Sequence, residues 1–173
     1  MAQPHQPDIE STSRDHAEAR TALGADEVAR GIMRLFARND IWCLREMALP
    51  NGRRADLMGI DARGLLVIVE IKVSRADLLG DAKWPEYLDY CDRFYWGLAP
   101  VLDRAPLESE AYRPDACGVI VADGYDGEIV RHAPLTRLAP ARRKAQTQRL
   151  SRCALRRLTA LADPECAALP FGG

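Results

Sequence analysis

The run Gly64–Val69 constrains the fold more than any other part of the chain, because it contains no polar side chain. A strand with one solvated face alternates apolar and polar residues, so this run predicts a central strand that is covered on both faces. It ends in Glu70-Ile71-Lys72, and a second acid, Asp56, follows an Asn51-Gly52 turn signal. Ionised side chains at the end of a buried strand are costly to bury unpaired. The sequence therefore predicts a cation near these acids, with a divalent metal as the leading candidate.

The residues between the two acids predict a β-hairpin. Asp61–Gly64 fits a three-residue loop in which Gly64 adopts a left-handed backbone. The register that follows sets three residues of one strand beside three of the next: Ile60 near Leu66, Met58 near Ile68, and Asp56 opposite Glu70. Facing residues have Cβ atoms about 4.5–5.5 Å apart, so these carboxylates repel unless a cation lies between them or one is protonated. A slip of one residue would turn Asp56 to the other face.

Lys72 adds a positive charge on the same face, because it lies two residues beyond Glu70. Two carboxylates beside an ammonium group suit Mg²⁺ or Mn²⁺, which prefer hard oxygen ligands, rather than zinc. The alternative is a metal-free cluster in which Lys72 neutralises one carboxylate and joins the two strands. Such a cluster would add little stability, since the desolvation of buried charges often outweighs their attraction.

The spacing of Asp56 and Glu70-x-Lys72 resembles the core of the PD-(D/E)xK nucleases, which include restriction enzymes and Holliday-junction resolvases. Further similarity lies in four segments: Leu49–Asp56 (LPNGRRAD), Glu70–Asp77 (EIKVSRAD), Lys83–Phe94 (KWPEYLDYCDRF) and Ala141–Ala145 (ARRKA). Together they resemble the MmcB-like family of bacterial DNA repair proteins, from roughly Ala25 to Leu161. The resemblance implies a restriction-endonuclease-like fold and a role in DNA damage tolerance, whereas nuclease activity follows from analogy of fold.

The resemblance also implies roles for individual residues. A Mg²⁺ ion would be held by the carboxylates of Asp56 and Glu70 and by the carbonyl of Ile71, and it would lower the pKa of a bound water. Lys72 would orient that water or offset charge that develops on the phosphoryl oxygens. These roles together amount to hydrolysis of a phosphodiester bond.

Two further sets of charged residues are candidates for the site and for DNA. Nucleases of this fold often add an acid from the first helix; Glu27 is the candidate, and Glu46 on the first strand is its rival. Eight basic residues and no acid lie between Arg137 and Arg157, although the net charge of the chain is −1. Such asymmetry indicates a nucleic-acid surface. The candidate DNA contacts are Lys83, Arg142, Arg143, Lys144 and Arg149.

The last helix is predicted to be amphipathic. One face would carry Leu150, Ala154, Leu158 and Leu161, and the opposite one Arg142, Arg149, Arg152 and Arg156. The basic face is either a solvated back or a surface that follows phosphates. For the aromatic residues near Trp84 and Tyr87, helical spacing favours positions in the core over base-stacking platforms.

The remaining pattern predicts one α/β domain. Residues 1–22 are expected to lack fixed structure, residues 23–163 to form the domain, and residues 164–173 to form a tail. Besides the hairpin, the expected elements are helices at 28–36, 83–91 and 141–161 and strands at 41–49, 94–98, 117–122 and 128–131. The order of the main elements, α-β-β-β-α-β-β-α, describes an α/β sandwich with a central mixed sheet. The resemblance implies that this sandwich is restriction-endonuclease-like.

Several classes are excluded by composition and motifs. No apolar run approaches the ~20 residues of a membrane span, and the first residues lack the basic flank and apolar stretch of a secretory signal. We therefore expect the chain in the cytoplasm, at the nucleoid when it acts. Five cysteines without a Cys-x-x-Cys spacing fit reduced thiols. No glycine-rich phosphate loop is present, so no nucleotide cofactor is expected.

These observations predict a Mg²⁺-dependent deoxyribonuclease of bacterial DNA repair. The main alternative keeps the fold without efficient cleavage and binds DNA or recruits partners. A third interpretation is a nuclease that acts on RNA, or in uptake or defence. DNA is the expected partner, and a second copy of the chain or another repair protein is a further candidate.

Overall fold

The computed structural model describes residues 23–168, which form a six-stranded sheet with helices on both faces. The strands are β1 (Ile41–Ala48), β2 (Arg54–Asp61), β3 (Leu66–Lys72), β4 (Arg93–Leu98), β5 (Cys117–Ala122) and β6 (Gly127–Arg131). The helices are α1 (Ala25–Arg38), α2 (Arg75–Gly80) and α3 (Pro140–Ala162), with short 3₁₀ helices at Trp84–Tyr90, Ala105–Glu108, Glu110–Tyr112 and Pro164–Ala168. The predictions for residues 1–22 and for residues 169–173 of the tail lie outside the described residues.

The sheet is mixed, as the sequence predicts. Its strands follow one another in chain order, and β1, β2 and β3 are antiparallel neighbours. β4 pairs in parallel with β3 and with β5, and β6 returns antiparallel to β5. The C-terminal ends of β1, β3, β4 and β5 therefore meet at one edge of the sheet, which we call the carboxyl edge. Lys72 ends β3 at this edge.

The β2–β3 hairpin has the predicted register. Two of the predicted pairs are present: Ile60 with Leu66 and Met58 with Ile68. Gly64 has a φ of 77°, and its amide donates to the carbonyl of Asp61 at 2.9 Å. The side chain of Asp61 accepts a second bond from the amide of Leu65 at 2.8 Å. Asp61 and Gly64 thus fix the turn that sets the register of the two acids.

Apolar layers cover both faces of β3, which is buried at all seven positions. On one face, Val67 and Val69 lie in a cluster with Val28, Ile32 and Phe36 of α1. On the other, Leu66 and Ile68 lie in a cluster with aromatic residues and part of α3: Trp84, Tyr87, Phe94, Trp96 and Leu150. The central position of this strand and the core positions of Trp84 and Tyr87 are therefore confirmed.

Two local features differ from the sequence prediction. The segment expected as a helix at 83–91 is a 3₁₀ helix, with a bond from the amide of Glu86 to the carbonyl of Lys83. The short helix α2 was not predicted, because six residues are too few to show a helical period. The strand predicted at 128–131 is confirmed: Gly127–Arg131 pairs with β5 as the sixth strand of the sheet.

Only the first half of α3 covers the sheet. Leu150 is buried, but Leu158 and Leu161, which were predicted on the same face of the helix, are 62% and 81% exposed. The period of a helix identifies which residues share a face but not how far a partner extends beneath them. Neither α3 nor any other helix within residues 23–168 is long and apolar enough to cross a membrane.

Candidate active site

Asp56 lies where the ladder between β2 and β3 stops. Leu57 and Val69 form the last backbone pair of this ladder. Beyond it, the Oδ2 atom of Asp56 accepts a hydrogen bond from the amide of Ile71 at 2.7 Å. One further step of the same register sets Asp56 opposite Glu70. The two acids therefore lie where the strands begin to separate at the carboxyl edge.

Glu70 is a buried acid with an unsatisfied oxygen. The residue is 7% exposed, and its Oε1 atom accepts from the Nζ atom of Lys72 at 3.4 Å. Its Oε2 atom has no hydrogen-bond partner among residues 23–168. A buried carboxylate oxygen without a partner is costly, because it has lost its contacts with water. This oxygen is therefore suited to take up a cation or a proton.

Three carboxylates surround the ammonium group of Lys72. Its Nζ atom lies 2.8 Å from Asp81, 3.4 Å from Glu70 and 3.7 Å from Asp77. Burial lowers the pKa of Lys72, but the hydrogen bond to Asp81 and the surrounding negative charges raise it further, so the net shift is upward. Lys72 thus stays charged, and Asp81 is its closest acidic partner.

The helix α2 supplies two of these carboxylates. Asp77 lies in its first turn, where its amide donates to the Oγ atom of Ser74 at 3.1 Å, and Asp81 follows its last residue. The sequence predicts that Asp77 and Asp81 act as caps and in ion pairs, and their contacts with Lys72 confirm the ion pairs. The sequence did not predict that both acids share Lys72 as a partner. The Ser74-x-x-Asp77 spacing, typical of a helix start, is the signal that would have revealed α2.

The cluster carries an excess of negative charge. Four carboxylates, those of Asp56, Glu70, Asp77 and Asp81, face the one ammonium group of Lys72. Burial, with the charge of Asp56 added, raises the pKa of Glu70 to about 7. Burial also raises the pKa of Asp56, although the amide of Ile71 and the charge of Lys72 oppose the shift. Both shifts mean that the cluster favours an added proton or cation.

Tyr87 brings a neutral donor to the cluster from the 3₁₀ helix. Its hydroxyl donates to the carbonyl of Arg54 at 3.2 Å. Burial raises the pKa of Tyr87, and the carboxylates of Glu70 and Asp81 raise it further, so the hydroxyl stays protonated. The ring itself is stacked on Phe94 in the core. The sequence did not reveal that this hydroxyl lies at the site. A tyrosine in the core and a tyrosine beside a functional site can occur at the same helical spacing.

Glu27 and Glu46, the two candidates for an additional acid of the site, have different surroundings. Glu27 caps α1: its Oε2 atom accepts from the amide of Gly24 at 2.9 Å. Glu46 pairs with Arg54. Burial is the main cause of the raised pKa of Asp56, and the charge of Glu46 adds to it. Of the two, Glu46 is therefore the acid that acts electrostatically on Asp56.

The backbone of Glu46 is also unusual. It has a φ of 53°, which is uncommon for a residue with a side chain. It interrupts the ladder of β1 with β2, between the pairs Arg45–Leu57 and Met47–Ala55. The guanidinium of Arg157 donates to its carbonyl at 3.0 Å, and also to the carbonyl of Arg45. The backbone of Glu46 is thus held against α3, and strained backbone of this kind is concentrated at functional sites.

The donors at the carboxyl edge fit a hard cation. Asp56 and Glu70 offer carboxylate oxygens, one of them unsatisfied, and the bond to Asp56 brings the backbone of Ile71 beside them. Residues 23–168 contain no group of three or more His, Cys, Asp or Glu side chains that could hold a metal. A Mg²⁺ ion keeps several waters and is commonly bound through one or two carboxylates together with substrate phosphates. Two carboxylates therefore suffice for an ion of this kind.

Arg143 has an internal partner rather than an open surface. Its guanidinium donates to both carboxylate oxygens of Asp92, which is fully buried. The same carboxylate accepts from the amides of Leu66 and Leu138 at 2.8 and 2.9 Å. Burial raises the pKa of Asp92, but Arg143 and these amides lower it further, so the net shift is downward. Arg143 thus takes part in a structural ion pair, and its contact with DNA stays a prediction.

The other predicted DNA contacts are spread over the surface. Lys83 is exposed just before the 3₁₀ helix, and Lys144 and Arg149 are exposed on α3. Arg142 pairs with Asp89 at 2.9 Å. Of these four residues, Arg149 alone lines a groove next to β1. Their contact with DNA stays a prediction.

Comparison with known proteins identifies the family. The family of proteins described as DNA repair protein MmcB-like matches residues 11–165. The solved structure of a protein of unknown function from Silicibacter pomeroyi is similar, with 40% sequence identity, a TM-score of 0.75, and coverage of 82% of this chain and 92% of that one. The comparison with curated proteins found no match. The resemblance to the MmcB-like family is thereby confirmed, and the chain belongs to the family of MmcB-like DNA repair proteins.

Proposed function

We propose that this chain acts in DNA repair by hydrolysing phosphodiester bonds of DNA with Mg²⁺ or Mn²⁺. The observation that carries the proposal is the state of Glu70. It is buried, one of its oxygens has no partner within residues 23–168, and burial and Asp56 raise its pKa to about 7. Membership of a DNA repair family favours DNA as the substrate.

Each residue of the cluster has a role in this proposal. Asp56 and Glu70, with the carbonyl of Ile71, would hold the ion, whose chemistry there would be to polarise the scissile phosphate and lower the pKa of a bound water. Lys72 keeps its charge and offsets negative charge on the phosphoryl oxygens. Tyr87 stays protonated, and its hydroxyl, which donates to the carbonyl of Arg54, adds no negative charge at the same place. Glu27, which caps α1, is left out of the chemistry in favour of Glu46.

The restriction-endonuclease-like, PD-(D/E)xK assignment of the fold belongs to the same proposal. It is supported by a mixed sheet in which β2 carries Asp56 and β3 carries Glu70-x-Lys72. Both strands present these residues at the carboxyl edge, beside the antiparallel β1 and the parallel β4. The same edge is where a phosphate would have to lie.

A second candidate function keeps the fold and binds DNA, or recruits a second copy or a repair protein, without efficient cleavage. The contacts of Lys72 favour it: the ammonium group already has Asp81 at 2.8 Å and Glu70 at 3.4 Å. An ammonium group that is neutralised within the protein stabilises a phosphate less than a free one.

A cleavage assay separates the two functions. The full chain is incubated with duplex, single-stranded and branched DNA and with RNA, in Mg²⁺, Mn²⁺ or chelator. We expect cleavage of DNA that requires the metal and falls by about 10²-fold in Glu70→Gln and in Lys72→Met. Asp77→Asn, which changes an exposed member of the cluster, should retain most of the activity. The absence of cleavage for every substrate, with DNA binding intact, would favour the second function, and faster cleavage of RNA would change the substrate.

A further inference from the structure

A basic groove lies between the end of β1 and the second half of α3. Its volume is about 430 Å³, and its lining includes Met47 and Ala48 of β1 and three arginines of α3, Arg149, Arg152 and Arg156, with Leu155. No acid lines it. Within residues 23–168, the side chains of Arg149 and Arg152 make no hydrogen bond or ion pair. The groove therefore presents positive charge that the chain itself does not fully neutralise.

The spacing of these arginines makes a bound anion favourable. They follow one another by three and four residues, so they are neighbours along one side of the helix, where like charges repel. Guanidinium groups match the geometry of phosphate oxygens. A row of phosphates spaced along a strand would relieve the repulsion at several positions at once.

The groove is joined rigidly to the carboxylate cluster. Arg157, on the inner face of the same helix, donates to the carbonyls of Arg45 and Glu46. Met47 in the groove pairs with Ala55, the neighbour of Asp56. A polymer that lies in the groove therefore passes beside the candidate site. Arg142 lies seven residues before Arg149, about 10 Å farther along the helix and away from this edge.

The groove has an apolar part as well as a basic one. Leu155 is 63% exposed at its rim, and Met47 lies beneath. In a duplex the bases are stacked on one another and face inward, whereas the bases of an unpaired strand are free to contact such a surface. The combination of phosphate-binding and apolar contacts thus favours an unpaired strand.

We propose that this groove binds the sugar-phosphate backbone of an unpaired nucleic-acid strand next to the carboxylate cluster, with its phosphates on Arg149, Arg152 and Arg156. The inference rests on the proposed function for the choice of DNA as the polymer. It does not depend on cleavage, since binding alone fills the groove.

The test is fluorescence anisotropy with a labelled 20-nucleotide single-stranded DNA and with the matching duplex, in chelator and at several salt concentrations. The variant Arg149→Gln/Arg152→Gln should bind the single strand about tenfold more weakly, with a salt slope smaller by about 1.4, since each phosphate contact contributes about 0.7. The control Arg30→Gln/Arg104→Gln removes the same charge from exposed positions outside the groove, on α1 and just before the 3₁₀ helix Ala105–Glu108, and should keep the slope. All four side chains are exposed, so the thermal midpoints should match the wild type.

Four outcomes would overturn the inference: no loss of affinity in the groove variant, an equal loss in the control, tighter binding of the duplex, or an equal loss of binding to polyglutamate. The last would indicate a general surface for polyanions, such as an acidic protein. A wild type that cuts DNA while the groove variant binds normally would contradict this inference alone. Groove-dependent binding without any cutting would contradict hydrolysis alone.

Discussion

The amide of Ile71 donates to the Oδ2 atom of Asp56 across 2.7 Å, so one acid of the site is bonded to the strand that carries the other. This bond replaces the backbone ladder just beyond its last pair and fixes the position of the Asp56 carboxylate relative to Glu70. The repulsion between the carboxylates of Asp56 and Glu70 is therefore present in the folded state. A cation, a proton or a neutral substitution should each relieve it.

Glu70→Gln is expected to stabilise the metal-free chain more at pH 8 than at pH 5. Burial raises the pKa of Glu70 from 4.5 to about 7, so between these values the folded chain binds more protons than the unfolded chain. Wild-type stability therefore falls as the pH rises through this range, and the glutamine variant lacks this fall. The advantage of the variant should grow by roughly 2–3 kcal/mol between the two pH values. Urea unfolding in chelator measures it, and parallel pH dependences would contradict it.

Asp81→Asn should affect Lys72 more than Asp77→Asn does. Asp81 lies 2.8 Å from the ammonium group with its side chain 14% exposed, whereas Asp77 lies 3.7 Å away and is 46% exposed. We expect a lower pKa of Lys72 and a loss of about 1–3 kcal/mol in the first variant, and less than about 1 kcal/mol in the second. An NMR titration of the lysine side chain and urea unfolding give the two readouts. Equal effects of the two substitutions would contradict the assignment of Asp81 as the main partner of Lys72.

Asp92→Asn is expected to lower the free energy of unfolding by about 3–5 kcal/mol, because it leaves Arg143 without its buried partner. The matched control is Asp89→Asn, which breaks the ion pair with Arg142 on the surface, where Asp89 is 71% exposed. That pair should contribute about 0–1 kcal/mol. If denaturant unfolding gave similar losses for both, the structural role of Arg143 would be wrong.

Glu46→Gly should be more stable than Glu46→Gln by about 1 kcal/mol, because glycine adopts the positive φ of this position without strain. Both variants lose the ion pair with Arg54, so the comparison isolates the backbone. If Glu46 assists Asp56, both should also bind Mn²⁺ more weakly than the wild type does. Thermal unfolding and Mn²⁺ titration measure the two effects; a glycine variant of lower stability would mean that the backbone of Glu46 is not strained.

The parts of the fold that the sequence predicted depend on local patterns. The loop Asp61–Gly64 set the register of the β2–β3 hairpin, and the apolar run before Glu70 identified the central strand. Contacts between segments that are distant in the sequence have no such local pattern, so the sequence did not predict them. The approach of Asp81 to Lys72 depends on a helix of six residues, and the exposure of Leu158 depends on where the sheet ends beneath α3.

The charge of α3 illustrates the same limit. The sequence identified a basic helix but could not distinguish Arg143, whose partner Asp92 lies 51 residues away, from Arg149, which lines an open groove. A period of 3.6 residues assigns side chains to faces of the helix. Only the packed structure determines which face is satisfied within the protein.

The most direct test of the account is electron paramagnetic resonance of Mn²⁺ titrated into the wild-type chain at pH 8. With Glu70 ionised above its pKa of about 7, we predict one bound ion per chain, with affinity about tenfold lower at pH 6 because protons compete. Glu70→Gln and Asp56→Asn should each weaken binding by at least a similar factor, and Asp89→Asn should leave it unchanged. No bound Mn²⁺, or equal affinity in all four proteins, would contradict a cation site between Asp56 and Glu70.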